Sequence, residues 1–82
     1  MNPSPARIRK RSVLLGGHAT SVSLEEAFWQ ALRQAARDEH RSLNRLIAEV
    51  DRARSGNLSS ALRLYVLERL SRRDAVNASA DP

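Results

Sequence analysis

The sequence predicts a mainly α protein in which one short N-terminal strand precedes three helices. Small residues alternate strictly with larger ones over residues 19–24, a pattern typical of a half-buried strand. Apolar residues recur at helical spacing in three later segments, and each segment begins near a serine or asparagine that can cap a helix. The chain has 82 residues and no cysteine, so we expect one domain without disulfides or zinc-thiolate sites.

Basic residues are concentrated at the N-terminus of a chain whose net charge is +5. Residues 1–20 contain Arg7, Arg9, Lys10 and Arg11 and no acidic side chain. We expect residues 1–11 to form a disordered basic arm, residues 12–73 to fold, and residues 74–82 to form a disordered tail. Because an arginine beside a phosphate releases a condensed counterion, the arm indicates a polyanionic partner.

The predicted strand has two different faces. Its apolar face consists of Thr20, Val22 and Leu24, and its other face of the small residues Ala19, Ser21 and Ser23. A lone strand leaves its amides and carbonyls without partners. If the chain supplies no second strand, pairing with the same strand of another copy makes a ribbon across a homodimer. The alternative lies in Gly16 and Gly17, which can close a hairpin within the chain or let an extended arm bend away.

The first predicted helix follows the strand directly. Ser23 and Glu26 have the spacing of a capping box, in which the serine accepts a hydrogen bond from a helix amide. We expect the helix to end near residue 38. Its predicted buried stripe consists of Leu24, Phe28, Leu32 and Ala35 or Ala36, with Trp29 at the margin.

Two further helices follow a tight turn at His40 and Arg41. Ser42 is the predicted cap of the second helix, which Gly56 ends. Asn57 is the predicted cap of a third helix that extends to about residue 72. Its complete apolar stripe predicts that it folds back onto the core.

This order of strand, capped helix, tight turn and capped helix resembles that of the ribbon-helix-helix regulators, which include the Arc and methionine repressors. A subgroup of small bacterial ribbon-helix-helix domain proteins is more similar still, over roughly residues 10–72. The resemblance rests on the order and spacing of short motifs. They are Lys10-Arg11-Ser12-Val13, Gly17-His18, Thr20-Ser21-Val22-Ser23-Leu24-Glu25, Phe28-Trp29, Ser42-Leu43-Asn44 and Asn57-Leu58-Ser59-Ser60-Ala61-Leu62-Arg63.

The resemblance implies a ribbon-helix-helix fold with an added third helix, in a homodimer that regulates transcription by binding specific DNA sequences. The ribbon would lie in the major groove, and the N-terminus of the second helix would hold a phosphate. The implied base contacts are Ala19, Ser21 and Ser23, where Ala19 replaces an arginine common in the subgroup. The expected phosphate contacts are Ser42, Leu43, Asn44 and Arg45 together with Arg7, Arg9, Lys10 and Arg11 of the arm.

Other functions remain open at this point. A dimeric protein-interaction adaptor or an antitoxin can use the same fold, and its C-terminal helix would then bind a toxin or another protein. We do not expect an enzyme, a cofactor or a metal, because the sequence contains no recognisable nucleophile, base or ligand constellation. Without a membrane span or signal peptide in the sequence, we expect the protein in the cytoplasm.

Overall fold

The computed structural model describes residues 4–80 of the chain, and the side chains of residues 4–73. A two-stranded antiparallel sheet precedes three helices. The strands are β1 (Ile8–Leu15) and β2 (His18–Glu25), and the helices are α1 (Glu26–Asp38), α2 (Leu43–Ala53) and α3 (Leu58–Ala80). The predicted order of a strand followed by three helices is therefore confirmed, with one strand added.

The added strand is β1, which pairs with β2 along its whole length, from Ile8 opposite Glu25 to Leu15 opposite His18. The connection is a two-residue turn in which Gly16 has φ 57° and Gly17 has φ 83°. Positive φ at both positions is characteristic of a type I′ turn, and glycine adopts it without steric cost. The prediction of one strand per chain is therefore wrong, because β2 has its ladder partner within its own chain.

The basic arm is ordered over most of its length. Residues 8–11, expected to be disordered, form the first half of β1, while residues 1–3 of the predicted arm lie outside the described residues. The backbone N–H of Glu26 donates to the carbonyl of Arg7 at 2.8 Å, and that of Ala27 donates to Pro5 at 3.0 Å. These bonds satisfy amides at the start of α1 that would otherwise need a capping side chain.

The predicted capping box at Ser23 does not form, because the carbonyls of Pro5 and Arg7 already accept hydrogen bonds from the first amides of α1. Ser23 lies within β2, and α1 begins three residues later with Glu25 as its N-cap residue and no capping hydrogen bond from a side chain. The carbonyls of the preceding segment take the place of the serine hydroxyl. The end of α1 at Asp38 is as predicted.

The core lies between the inner face of the hairpin and the three helices. Trp29, expected at the margin of the buried stripe, lies at the centre of the core and is 0% exposed. Phe28 lies at the edge of the core and is only partly buried. The tryptophan is held by a hydrogen bond from its indole Nε1–H to the carbonyl of Arg9, 2.9 Å long. The buried apolar residues are Val13, Val22, Leu24, Trp29, Leu32, Ala35, Ala36, Leu46, Ile47, Leu58, Leu62 and Val66.

The turn and the N-terminal caps of the later helices agree with the sequence. His40 has φ 54°, the left-handed conformation that ends a helix. Ser42 Oγ accepts a hydrogen bond from the N–H of Arg45 at 3.1 Å, and Asn57 Oδ1 accepts one from Ser60 at 2.8 Å. Local side-chain chemistry therefore determined where α2 and α3 begin.

The predicted end of α2 at Gly56 is wrong. The helix ends at Ala53 with Arg54 as its C-cap residue in an extended conformation, and Gly56 does not have a positive φ.

Helix α3 folds back onto the core, as predicted, but it is longer than expected. Its backbone is helical to Ala80, so residues 74–80 of the predicted disordered tail belong to the helix, and residues 81–82 lie outside the described residues. Tyr65 OH donates to Glu39 Oε2 at 2.9 Å, and Arg69 pairs with Asp38 at 2.8 Å, which ties α3 to the end of α1. Burial and the bond to Glu39 raise the pKa of Tyr65. In residues 4–80, no helix is long and apolar enough to cross a membrane.

Candidate nucleic-acid interface

The hairpin has a helix-facing side and an outer side, and the register determines which residues share each. Directly paired residues of an antiparallel ladder lie on the same face. The outer face therefore contains three exposed cross-strand pairs, which are Leu14–Ala19, Ser12–Ser21 and Lys10–Ser23. The prediction that Ala19, Ser21 and Ser23 share an exposed face, opposite buried Val22 and Leu24, is confirmed.

Sequence reasoning missed the contribution of β1 to this face. It placed Lys10 in a flexible arm and gave Ser12 and Leu14 no role, because it left open whether β1 pairs within the chain. The Gly16-Gly17 pair was the available signal, since two glycines between β-forming segments favour a type I′ hairpin. With β1 in place, one chain supplies both strands of a ribbon.

Arg9 and Arg11, expected to contact phosphates, lie on the helix-facing side of β1. Arg9 pairs with Glu26, which is 2% exposed, at 3.1 Å. The guanidinium carbon of Arg11 lies 5.6 Å from the centre of the Trp29 ring, within the range of a cation–π contact. Both arginines therefore stabilise the packing of β1 on α1. Arg7 and Lys10 are exposed.

The N-terminus of α2 lies beside the tip of the hairpin. Asn44 Oδ1 accepts a hydrogen bond from the N–H of Leu14, and its Nδ2 donates to the carbonyl of the same residue, both at 2.8 Å. The predicted phosphate contact Asn44 is thus a clamp on β1. Of its neighbours, Ser42 caps the helix with its hydroxyl, Leu43 is partly buried, and Arg45 is exposed.

Replacing Asn44 with alanine is expected to lower the free energy of unfolding by about 1 kcal/mol and to free the tip of the hairpin. The amide of Leu14 should then exchange with deuterium faster than in the wild type, as measured by NMR. Asn44→Asp is the matched control, since it keeps the acceptor for the Leu14 N–H and loses the donor to the carbonyl. Unchanged exchange at Leu14 in Asn44→Ala would show that the clamp does not hold the strand.

Both outer edges of the ribbon are partly closed. Asn44 occupies the edge of β1 at Leu14, and the hydroxyl of Ser59 donates to the carbonyl of Ser23 on the edge of β2 at 3.3 Å. Capped edges disfavour the addition of further strands. Within the described residues of one chain the ribbon is two strands wide, the width that a DNA major groove admits.

The charge of the molecule is distributed so that its carboxylates are neutralised. Among residues 4–73, every carboxylate forms an ion pair: Glu25 with Arg63, Glu26 with Arg9, Asp38 and Glu39 with Arg69, Glu49 with Arg41, Asp51 with Arg54, and Glu68 with Arg72. Hydrogen bonds from its own backbone N–H and from Arg63 lower the pKa of Glu25 at the open end of the ribbon. Among the same residues 4–73, Lys10 on the outer face, Arg7 just before β1 and Arg45 in the first turn of α2 form no ion pair, and neither do Arg33, Arg37 and Arg52 on α1 and α2.

In residues 4–80, no group of three or more histidine, aspartate or glutamate side chains is placed to hold a metal ion. His18 lies beside the hairpin turn, and His40 forms the turn between α1 and α2.

Comparisons with known proteins agree with this geometry. A solved structure of an uncharacterized protein from Bordetella pertussis Tohama I is similar, with a TM-score of 0.73 and 29% sequence identity. The similarity covers 98% of this chain and 66% of that protein, so the chain spans somewhat less than two thirds of its length. No curated protein matches the sequence. The profile described as "Ribbon-helix-helix domain" matches residues 8–70, from the start of β1 into α3, and the chain therefore belongs to the ribbon-helix-helix domain family.

Proposed function

We propose that this protein is a transcription regulator that binds specific DNA sequences as a homodimer, with the outer face of each hairpin in a major groove. Ribbon-helix-helix domains in general bind DNA and dimerise. The observation that carries the proposal is the outer face itself, where hydroxyl and lysine side chains project from a ribbon two strands wide. Such side chains can donate to or accept from base edges.

The N-terminus of α2 supplies a second contact in this proposal. Its first amides point out of the helix beside the hairpin tip, and the helix dipole favours an anion there. Arg45 adds a positive charge at this end of the helix. A phosphate held here would orient the ribbon, because contacts to the DNA backbone position a protein without reading the sequence.

The homodimer is proposed to form through α3 rather than through a shared ribbon. The internal hairpin gives β2 a partner strand within its own chain, so the fold of one chain no longer requires the ribbon across two copies that the sequence predicted. Leu64 and Leu67 are exposed on α3, and together with Ser60 and Ser71 they have the alternating spacing of four and three residues that helical pairs use. Pairing of two such helices would bury these leucines and place one hairpin on each side of a two-fold axis.

The proposed function predicts a difference between two arginines on α2, Arg45 and Arg52. Both are exposed, but Arg52 lies seven residues further from the N-terminus, about 10 Å along the helix. Arg45→Gln should reduce the slope of log K against log salt by about 0.9, the effect of one lost phosphate contact. Arg52→Gln removes the same charge and should leave the slope nearly unchanged.

These slopes are measured by fluorescence anisotropy on duplex DNA at several salt concentrations, with circular dichroism to show that each variant folds. Ser21→Ala, measured on a selected site and on random DNA, should reduce the preference for the selected site by about 1–3 kcal/mol. Equal slopes for the two arginine variants would contradict the phosphate contact. Absence of salt-dependent binding to any duplex would contradict the proposed function.

The second candidate is a protein-interaction adaptor or antitoxin, and the exposed leucines of α3 favour it. Leu64 lies at a groove between α2 and α3, which Val50, Ala53 and Tyr65 also line. In this case the leucines would bind a different protein, such as a toxin, instead of a second copy. A salt-sensitive mobility shift on duplex DNA distinguishes the two, since a folded chain that shifts no duplex would contradict the DNA-binding regulator and favour the adaptor.

A further inference from the structure

An exposed leucine at the tip of the hairpin is held more firmly than a solvent-facing side chain requires. Leu14 is 60% exposed on the outer face. Asn44 binds both its N–H and its carbonyl, and the type I′ turn begins two residues later. The opposite residue is Ala19, so the two side chains form a small apolar row next to the serine pair.

The chemistry of the outer face changes in order along the ribbon. From the tip inwards, the rows are apolar (Leu14–Ala19), hydroxyl (Ser12–Ser21) and cationic (Lys10 with Ser23). In the major groove, apolar side chains contact the methyl group of thymine, hydroxyls contact any base, and lysine contacts O6 and N7 of guanine. The apolar row and the cationic row therefore correspond to two different base preferences, and the hydroxyl row between them carries none.

We propose that Leu14 packs against a thymine methyl group, and that Lys10 contacts a guanine about four base pairs away. The inference rests on the proposed function and adds which DNA bases the ribbon contacts. Successive residues on one face of a strand are about 6.8 Å apart, so Leu14 and Lys10 are separated by about 13.6 Å along β1. For a strand that runs parallel to the DNA axis, at about 3.4 Å per base pair, this distance equals four base pairs.

The apolar row of Leu14 and Ala19 fits a DNA groove better than it fits an apolar protein surface. A leucine exposed by itself on a protein surface is ordinary. Here its neighbours along the face are hydroxyls and a lysine, and the N-terminus of α2 lies beside it through Asn44. A thymine in the major groove presents one methyl group among polar base edges, which matches one leucine among polar neighbours.

The test uses the full chain and a duplex site selected from random DNA. Each thymine of the site is replaced by deoxyuridine, which removes only the methyl group. At one thymine, wild-type affinity should fall about fourfold, the effect of losing the burial of one methyl group. Leu14→Ser should bind the thymine and uracil sites equally, and Leu14→Asn, whose side chain is also polar, serves in its place if the serine variant does not fold.

Ile8→Ser is the matched control, because Ile8 is 55% exposed on the same face at the opposite end of the hairpin. It should keep the fourfold discrimination of the wild type. Replacing guanines by 7-deazaguanine tests Lys10 in the same way, and Lys10→Gln should lose the dependence on one guanine about four base pairs from the thymine.

Three outcomes would overturn the inference. Equal affinity for thymine and uracil at every position would refute the methyl contact while leaving DNA binding and the proposed function intact. Discrimination that persists in Leu14→Ser would show that another residue reads the methyl group. If the wild-type chain binds no duplex, both the inference and the proposed function are wrong.

Discussion

Replacing Trp29 with alanine is expected to lower the free energy of unfolding by about 3–5 kcal/mol, at the upper end of the range for truncation of a core side chain. Trp29 is 0% exposed, its indole N–H donates to Arg9, and its ring lies under the guanidinium of Arg11. Truncation would leave a cavity and remove the bond that holds β1 against α1. Since small domains have total stabilities of about 5–15 kcal/mol, the variant should unfold at much lower urea concentration.

Phe28→Ala is the matched control for this substitution. It also removes an aromatic ring from α1, but from a side chain that is only partly buried, so its cost should be clearly smaller. Urea titrations followed by circular dichroism measure both. If the alanine variant of Phe28 is the less stable of the two, the position of Trp29 at the centre of the core is wrong.

Replacing Leu62 with alanine is expected to lower the free energy of unfolding by about 2–5 kcal/mol. Leu62 is 0% exposed where α3 packs on the core, so the substitution tests whether α3 belongs to the folded domain. Loss of this contact should also lower the thermal midpoint by several degrees.

Leu64→Ala, two residues along the same helix, is the control because Leu64 is 64% exposed. In the isolated chain its cost should stay within about 0.5 kcal/mol. Melting at low protein concentration avoids any contribution from association through α3. Equal losses for Leu62→Ala and Leu64→Ala would mean that α3 does not pack as described.

The candidate site was predictable in part. The alternation of residues 19–24 predicted which side chains of β2 are exposed together, and the resemblance directed attention to the N-terminus of α2. Lys10, Ser12 and Leu14 were missed as parts of the outer face, because their positions depend on the pairing of β1 with β2, which the Gly16-Gly17 pair favours but does not fix. Asn44 matched a phosphate-contact motif, yet its side chain binds a strand residue 30 positions earlier in the chain.

The sequence by itself determined the features that depend on residues within about one helical turn of each other. The caps at Ser42 and Asn57, the left-handed turn at His40 and the two faces of β2 are of this kind, because their hydrogen bonds and steric limits are local. The tertiary structure alone decided which of two adjacent aromatic residues is buried. It also decided that backbone carbonyls near the N-terminus, and not Ser23, satisfy the first amides of α1. Both outcomes depend on contacts between residues far apart in the sequence. The packing of β1 and the helices around Trp29 determines which of these contacts form.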